Sequence, residues 1–434
     1  MHQTQMSQLD NLAKKYLKKW LGIQTHGVTD ISIFHPYMLA IKTPSQTYLE
    51  AHAGNHTMMR MKGDKVVNHA LNSRIERESQ WTRKHSTITH VQQMWQDNID
   101  RNQINPPHEY ETPSRIEIER AKKTMKSTVA TETKQLWDNK VKQLTVQGDF
   151  VGLLIEEQEN VTWKSICNNI PKGVLSFALK ACTNSLNTPD NLKRWGIRKL
   201  NKCDLCGNFS NLEHILNWCS VALNQKRLTW RHDSILNYLT SKMKNVKPEN
   251  ITIYADIAGH KFNAGTIPPD ILCTTTRPDI VIINREAKSI ELLELTCSFE
   301  KNIEKANILK NLKYLGIKSD LEEAGWSCQL LPFEVGSRGH VTKRNRKTIY
   351  EASQRNSIKL KHKEIIKDIS KIALLCSFSI FQARCQPDWQ EPPSFIPDLI
   401  PYLRYTNCIA VLWIYSAKGQ VLCYSLITIF AYIS

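Results

Sequence analysis

Cys203, Cys206, His214 and Cys219 stand in the order C-x2-C-x7-H-x4-C, and no other feature of this 434-residue chain restricts its folding as tightly. Three thiolates and one imidazole are a common tetrahedral zinc set, and a Cys-x-x-Cys turn lets two sulfurs approach one ion. Gly207, directly after the second cysteine, relieves the tight turn, and a short helix carrying His214 and Cys219 would close the site. Four protein ligands leave no open position, so the expected ion is structural, one per chain. The alternative is a set of scattered buried cysteines beside a surface histidine. Twelve cysteines are not dense for this length, and Met1-His2-Gln3-Thr4-Gln5 opens no signal peptide. A reducing compartment is therefore expected, in which clustered cysteines bind metal in preference to forming disulfides.

The length is too great for one ordinary core and suits two or three domains. Hydrophobic residues at 41% and charged residues at 23% exclude wholesale disorder and a polytopic membrane protein. Lys+Arg number 58 against 41 Asp+Glu, a formal net charge of +17, which argues for a polyanionic partner, above all nucleic acid. Basic residues interleaved with aromatics flank the cluster: Lys193, Arg194, Trp195, Arg198 and Lys199 before it, and Arg227, Trp230, Arg231 and His232 after it. Such residues can pair phosphates and stack on bases; the alternative is solvated charge over core tryptophans.

Near the start, Leu9, Leu12, Ala13, Tyr16, Leu17, Trp20 and Leu21 recur at helical spacing, which predicts a core-facing stripe ended by Gly22. Lys14, Lys15, Lys18 and Lys19 fill the other face, either solvated or phosphate-facing. Residues 69–145 are polar, with sparse anchors such as Trp81, Trp95, Met125 and Trp137, and read as a long helical connector. Val161–Leu186 is a second helical region. From about Ile251 the texture changes: Asp279–Ile283, Ile290–Thr296 and Cys328–Val335 are strand-length apolar runs, the first two joined by a turn at Asn284–Ser289. Lys301–Gly316 between the last two is helix-length and closed by a glycine. An α/β domain thus follows an α-helical half, with no internal repeat at solenoid period.

Within that α/β part, Arg277-Pro278-Asp279 opens one strand and Glu294 lies inside the next. Two acids on adjacent strands can share one ion, and Asp279 and Glu294 are hard oxygen ligands of the kind Mg²⁺ prefers. Strand alternation puts Glu291 on the opposite face from Glu294. Lys310, Lys313 and Tyr314 fall at i, i+3 and i+4 of the following helix and share one face, which could point at the metal. A lysine there would stabilise charge on a phosphate or help deprotonate water. Thr296 stands where a Glu-x-Lys pattern would have its lysine, so the site needs one from the helix. Tyr254-Ala255-Asp256 is a decoy for a polymerase box, because Ile257 replaces the second carboxylate.

Taken together, the Cys-Cys-His-Cys knuckle, Trp230-Arg231-His232-Asp233, Arg277-Pro278-Asp279, Glu294-Leu295-Thr296 and Lys310-x-x-Lys313-Tyr314 resemble the C-terminal half of a site-specific non-LTR retrotransposon protein, of the group carrying a restriction-like endonuclease. The resemblance runs from about residue 8 to about 393. Leu9–Gly22 with Ile33-Phe34-His35-Pro36 looks like the reverse-transcriptase thumb. Asn184-Ser185-Leu186-Asn187-Thr188 looks like an Asn-Ala-Leu-Pro-Thr segment whose proline has become Asn187, a change expected to loosen that loop. Glu334–Gly339, Cys376–Phe381 and Gln386–Pro393 match further along.

The resemblance implies an α+β multidomain chain: a thumb-like helical region over 1–68, a helical linker over 69–160, a helical linker with the zinc knuckle over 161–232, and an α/β PD-(D/E)XK-like endonuclease domain over 233–393. It also implies Mg²⁺-dependent nicking of double-stranded target DNA with Asp279, Glu294, Lys310, Lys313 and Tyr314 at the centre, binding of element RNA, and a nuclear location. Nucleic-acid contacts would fall to Lys193, Arg194, Arg227, Arg231, His232, Arg277 and Arg338. The polymerase fingers and palm have no counterpart here, so the chain reads as a truncated element protein. The competing reading is a catalytically inactive nucleic-acid-binding remnant. From Arg338 to Lys363, nine Lys/Arg face the single acid Glu351, a run that could bind phosphates or be a solvated helix face. Residues 394–434 lie outside the resemblance. Lys418, Gly419 and Gln420 interrupt their apolar stretch, which reads as two short segments or an untemplated extension in preference to a membrane anchor.

Overall fold

The computed structural model describes residues 3–23, 27–77, 86–108, 111–157, 163–167, 170–259, 261, 266–390, 413–415 and 421–423. Contacts divide the chain into two units, Met1–Ile155 and Glu156–Ser434.

In the first unit the helices are α1 (Gln3–Trp20), α2 (Ile31–Phe34), α3 (Pro44–Met61), α4 (Lys65–Arg77), α5 (Thr87–Asp100), α6 (Arg115–Lys142) and α7 (Asp149–Glu156). Local chemistry fixes several starts. Thr43 accepts a hydrogen bond from the Gln46 amide with Pro44 at the first helical position of α3, and Ser114 and Glu117 form a reciprocal capping box before α6. α3, α5 and α6 enclose Ala53, Met94, Trp95, Ala121, Met125 and Val129. Residues expected to be a connector therefore help build a core, because Trp95 and Met125 find partners on α3. Trp81 lies outside the described residues.

α1 ends as expected at Gly22, whose φ of 66° suits glycine. Its buried face differs from the expected one: Leu12, Tyr16 and Trp20 are half exposed, whereas Met6 and Lys18 are buried. Lys18 Nζ donates to the Val28 carbonyl at 2.6 Å and pairs with Asp30 Oδ1 at 2.9 Å, and Lys14 pairs with Asp30 Oδ2 at 3.3 Å. Burial raises the Asp30 carboxyl, but the Lys18 contact and neighbouring lysines outweigh it and hold the carboxyl below its ordinary range. The helix is thus anchored by charge on the flank that hydropathy assigned to solvent or phosphate.

His56 gives this unit an acid sensitivity. Its ring packs edge-on against Trp95 and bonds Gln92 Oε1 at 2.7 Å. Burial, partly opposed by Gln92, pulls its pKa down to about 4 from 6.5. The folded state thus refuses a proton that the unfolded chain accepts, so stability falls as pH drops from 6.5 toward 4 and levels off below. The loss should reach about 3 kcal/mol at 1.36 kcal/mol per unit. Thermal midpoints from pH 7 to 4 should drop more steeply for wild type than for His56→Gln; equal slopes would refute this.

The second unit opens with α8 (Trp163–Cys167), α9 (Lys172–Cys182) and α10 (Pro189–Arg194), then a π-helical turn at His214–Trp218, α11 (Ser220–Asn224) and α12 (Arg227–Lys244). β1 (Ile251–Ala255), β2 (Ile280–Asn284), β3 (Ser289–Ser298), α13 (Ile303–Glu323), β4 (Ser327–Gly336), α14 (Lys343–Arg355) and α15 (His362–Gln382) follow. The sheet order is β1-β2-β3-β4; β1/β2 and β2/β3 are antiparallel and β3/β4 parallel, with α13 as the crossover. Ile280, Ile282, Leu293, Leu295, Phe333 and Val335 pack with α12, α14 and α15 on one face. Val281, Ile283, Ile290 and Leu292 pack with Tyr314, Ile317 and Leu321 of α13 on the other. Coverage of both faces explains why β2 reads as an unbroken apolar run.

Three expectations need adjusting. α12 is one helix through residues 232 and 233, so no domain boundary falls there. α13 continues past Gly316; the glycine that closes it is Gly325, at φ 83°. The Asn184–Thr188 loop is not loosened by Asn187, because the Asn191 side chain donates to the carbonyls of Asn184 (2.9 Å) and Leu186 (2.8 Å). In the tail, β5 (Trp413–Tyr415) and β6 (Val421–Cys423) pair antiparallel; residues 391–412, 416–420 and 424–434, including Lys418, lie outside the described residues. Among the described residues, no helix is long and apolar enough to cross a membrane.

Candidate metal centres

The Cys/His cluster is assembled by two local devices. A hairpin-like knuckle, with Lys202 bridged to Phe209, lets the Cys203 amide donate to the Asn208 carbonyl (2.7 Å) and the Gly207 amide to the Cys203 carbonyl (3.0 Å), while Gly207 takes φ 74°. The Asn211 side chain then accepts from the His214 amide at 2.8 Å, and the Cys219 amide closes the π turn on the His214 carbonyl at 2.9 Å. The expected short helix is thus a π turn, and the difference matters. Five residues along an α-helix rotate a side chain by about 140°, whereas the wider turn brings His214 and Cys219 to one side.

The four ligand atoms lie within 4.8 Å of one another. Cys203 Sγ is 3.9 Å from Cys219 Sγ, and Cys206 Sγ is 3.3 Å from His214 Nε2. A zinc tetrahedron with Zn–S of about 2.3 Å has edges of about 3.8 Å, so the donor set fits the ion. Burial holds His214 below the usual histidine range, in its neutral, ligating form. Burial and the neighbouring thiols push Cys219 up to about 11, a crowding that a bound dication would relieve.

The second constellation is built on the sheet. Ile280 pairs with Leu293, so one step further along the register Asp279 lies across from Glu294. The Leu295 amide donates to Asp279 Oδ2 at 2.7 Å and the Asp279 amide to Glu294 Oε2 at 3.3 Å. From α13, Lys310 Nζ reaches Glu294 Oε1 at 2.5 Å and Lys313 Nζ approaches the same oxygen at 3.7 Å. Tyr314 accepts from Lys313 Nζ at 2.9 Å and donates to the Arg277 carbonyl at 3.3 Å. The structure therefore brings all five candidate residues together. Glu291 occupies the opposite face, paired with Arg355 Nε at 2.6 Å.

His232, expected to contact nucleic acid, lies in this cluster. Its Nε2 meets Asp279 Oδ2 at 3.2 Å and its Nδ1 meets Asp233 Oδ1 at 2.9 Å. Burial lowers its pKa, but the two carboxylates outweigh burial and raise it to about 11, so the ring is cationic. Asp279, Thr296, Lys310 and His232 line a cleft of about 320 Å³. Within it Thr296 Oγ1 is buried without a hydrogen-bond partner among the described residues. Two carboxylates and an orphaned hydroxyl form a donor set that fits a hydrated Mg²⁺.

The remaining proposed nucleic-acid contacts divide sharply. Lys193, Arg194 and Arg277 are exposed. Arg227, Arg231 and Arg338 are buried and bound internally, which removes them from any nucleic-acid surface. Arg227 donates to the carbonyls of Ala383 (2.6 Å) and Gln386 (2.7 Å) and lies over Trp389. Arg231 donates to Ser377 Oγ and to the Leu216 carbonyl, each at 3.0 Å. Arg338 pairs with Glu300 Oε2 at 2.7 Å, beneath Gly336, where any Cβ would collide with the same carboxylate. Arg338→Ala should strand that carboxylate in the interior and cost about 3–5 kcal/mol, read as a lower urea midpoint. In the basic run after it, Arg344 and Arg355 are paired with Glu304 and Glu291, and the exposed Lys347 and Lys361 with Glu351 and Glu364; Lys343, Lys359 and Lys363 are exposed as well.

Residues 132–225 match the family described as zinc-binding in reverse transcriptase. The match contains all four Cys/His ligands, and the cluster and the match together support zinc binding. The chain thus carries a zinc-binding domain of the kind found in reverse-transcriptase-like proteins and is related to them in origin. No curated protein matches the chain.

Proposed function

We propose that this chain is a nucleic-acid-binding protein of retrotransposon descent whose second unit is a restriction-like, Mg²⁺-dependent DNA endonuclease. The observation that carries the proposal is Glu294, held between the Asp279 amide and Lys310 on the strand beside Asp279. Asp279 and Glu294 would hold the ion, which when bound supplies Lewis-acid polarisation of a phosphodiester and an activated water. Lys310 Nζ holds Glu294 through Oε1, and His232 Nε2 holds Asp279 through Oδ2, so each carboxylate is positioned by a neighbouring basic side chain. Tyr314 fixes the Arg277 carbonyl and with it the chain entering β2.

Nucleic-acid binding is supported by the surface of the knuckle. Phe209 is 52% and Trp218 65% exposed beside the ligands, and Lys193, Arg194, Lys199 and Lys202 are exposed nearby in the chain. Aromatic faces among lysines stack bases and pair phosphates with little sequence preference. Double-stranded target DNA, element RNA and a nuclear setting follow from this reading.

Supercoiled plasmid incubated with the full chain tests it: relaxation to the nicked form with Mg²⁺, and none without it, is the expected outcome. A second reading, a binding remnant without activity, draws support from Thr296 at the place of a strand lysine. Under it, DNA is retained but never nicked at any Mg²⁺ concentration.

A further inference from the structure

The outer face of α13 is apolar at its centre and has no partner among the described residues. Ile308, Leu309, Leu312 and Leu315 are 52%, 56%, 60% and 53% exposed, and their spacing lines them along one side of the helix. This face lies opposite the one that carries Tyr314, Ile317 and Leu321 into the sheet. Gly316 sits in the same stripe, where a Cβ would meet open space. A glycine inside a helix weakens it, and among the described residues nothing approaches closely enough to require one here. Contiguous exposed apolar surface of this kind marks an interaction site.

The stripe is also its own complement. If a second α13 runs antiparallel with Leu312 on the two-fold axis, Leu312 meets its copy, Leu309 meets Leu315, and Ile308 falls on Gly316. At the ends, Lys301 falls opposite Glu323, and Lys305, one turn further in, reaches the same carboxylate. All three charged residues are exposed, and Lys301 also pairs with Glu213 at 2.6 Å. Isologous interfaces require this self-matching, in which each residue's partner is paired back to it. We propose that the outer face of α13 is the seat of a second copy of this chain, docked antiparallel about Leu312. The glycine then has a function: it leaves room for Ile308 of the facing copy. Lys310 and Glu294 lie on the far side of the helix, so the pairing leaves the acid cleft open.

Sedimentation velocity of the full chain across the micromolar range tests the proposal. A monomer–dimer equilibrium is expected. Leu312→Glu, at an exposed position that the fold does not need, should weaken it about tenfold or more, the scale of a central interface residue. Gly316→Ala separates association from folding: it should raise the thermal midpoint of the helix-bearing unit while weakening the dimer. In a Lys301→Gln background, Lys305→Glu should weaken the dimer, and adding Glu323→Lys should restore it; in a parallel pairing Lys305 would lie beside its own copy and the restoration would fail. A monomer at every concentration, self-association that Leu312→Glu leaves intact, or no rescue by the double charge reversal would each overturn the proposal.

Discussion

Replacing Asp279 or Glu294 by alanine should lower Mg²⁺-dependent nicking by about 100- to 1000-fold, the scale on which loss of one charged group at a reacting centre acts. Each substitution deletes one of only two carboxylates able to share an ion across β2 and β3. Neither should unfold the sheet, because Leu293, Leu295 and Phe333 hold its core from the other face. DNA affinity should stay near wild type or rise, since an acid is removed from a cleft facing a polyanion. Asp279→Ala with full nicking would reject the assignment. Lys310→Ala should produce a smaller loss than either acid, with Lys313 close enough to Glu294 to substitute in part.

Removing the zinc should have the other large effect. Metal analysis should give about one zinc per chain, and Cys203→Ser or His214→Ala should abolish it. Structural zinc supplies apparent binding energies of about 10–16 kcal/mol in small metal-folded modules, more than the fold around this cluster can replace. Among the described residues the thiols share a small apolar cluster with Ala222, Leu205 and Val221, too small to hold shape alone. The variants should lose nucleic-acid affinity and solubility together, seen as protease cleavage between residues 200 and 226. Folded, soluble protein without zinc would refute the assignment.

What could be read from the sequence was local. Cys203 to Cys219 span one knuckle and one turn, so spacing alone nominated the ligands. The strands could be read because their apolar runs match a sheet covered on both faces, and the shared face of Lys310, Lys313 and Tyr314 because helical periodicity places them there. What escaped had a distant or featureless partner. Arg227 and Arg231 bind main-chain carbonyls, some more than a hundred residues away, and a carbonyl leaves no mark in a sequence. His232 was seen as one more basic residue, since the contact that defines it, Asp279, is 47 positions further on. On α1 the aliphatic stripe outscored the lysines in hydropathy, yet Asp30 drew Lys18 inward. The spacing of His214 and Cys219 gave the ligands but not the π turn, whose width is a property of backbone bonding.

That π turn ties the Cys/His cluster and the acid cleft into one mechanical assembly. The Leu216 carbonyl within it receives the Arg231 guanidinium at 3.0 Å, and the next residue, Asn217, donates to the Cys297 carbonyl at 2.9 Å, on the strand that carries Glu294. Unwinding the turn would pull on β3 three residues from the acid. A chelator strong enough to strip the thiolates should therefore silence the cleft as well. Magnesium added back alone should fail to revive it, and recovery should follow the slower refolding of the knuckle around zinc.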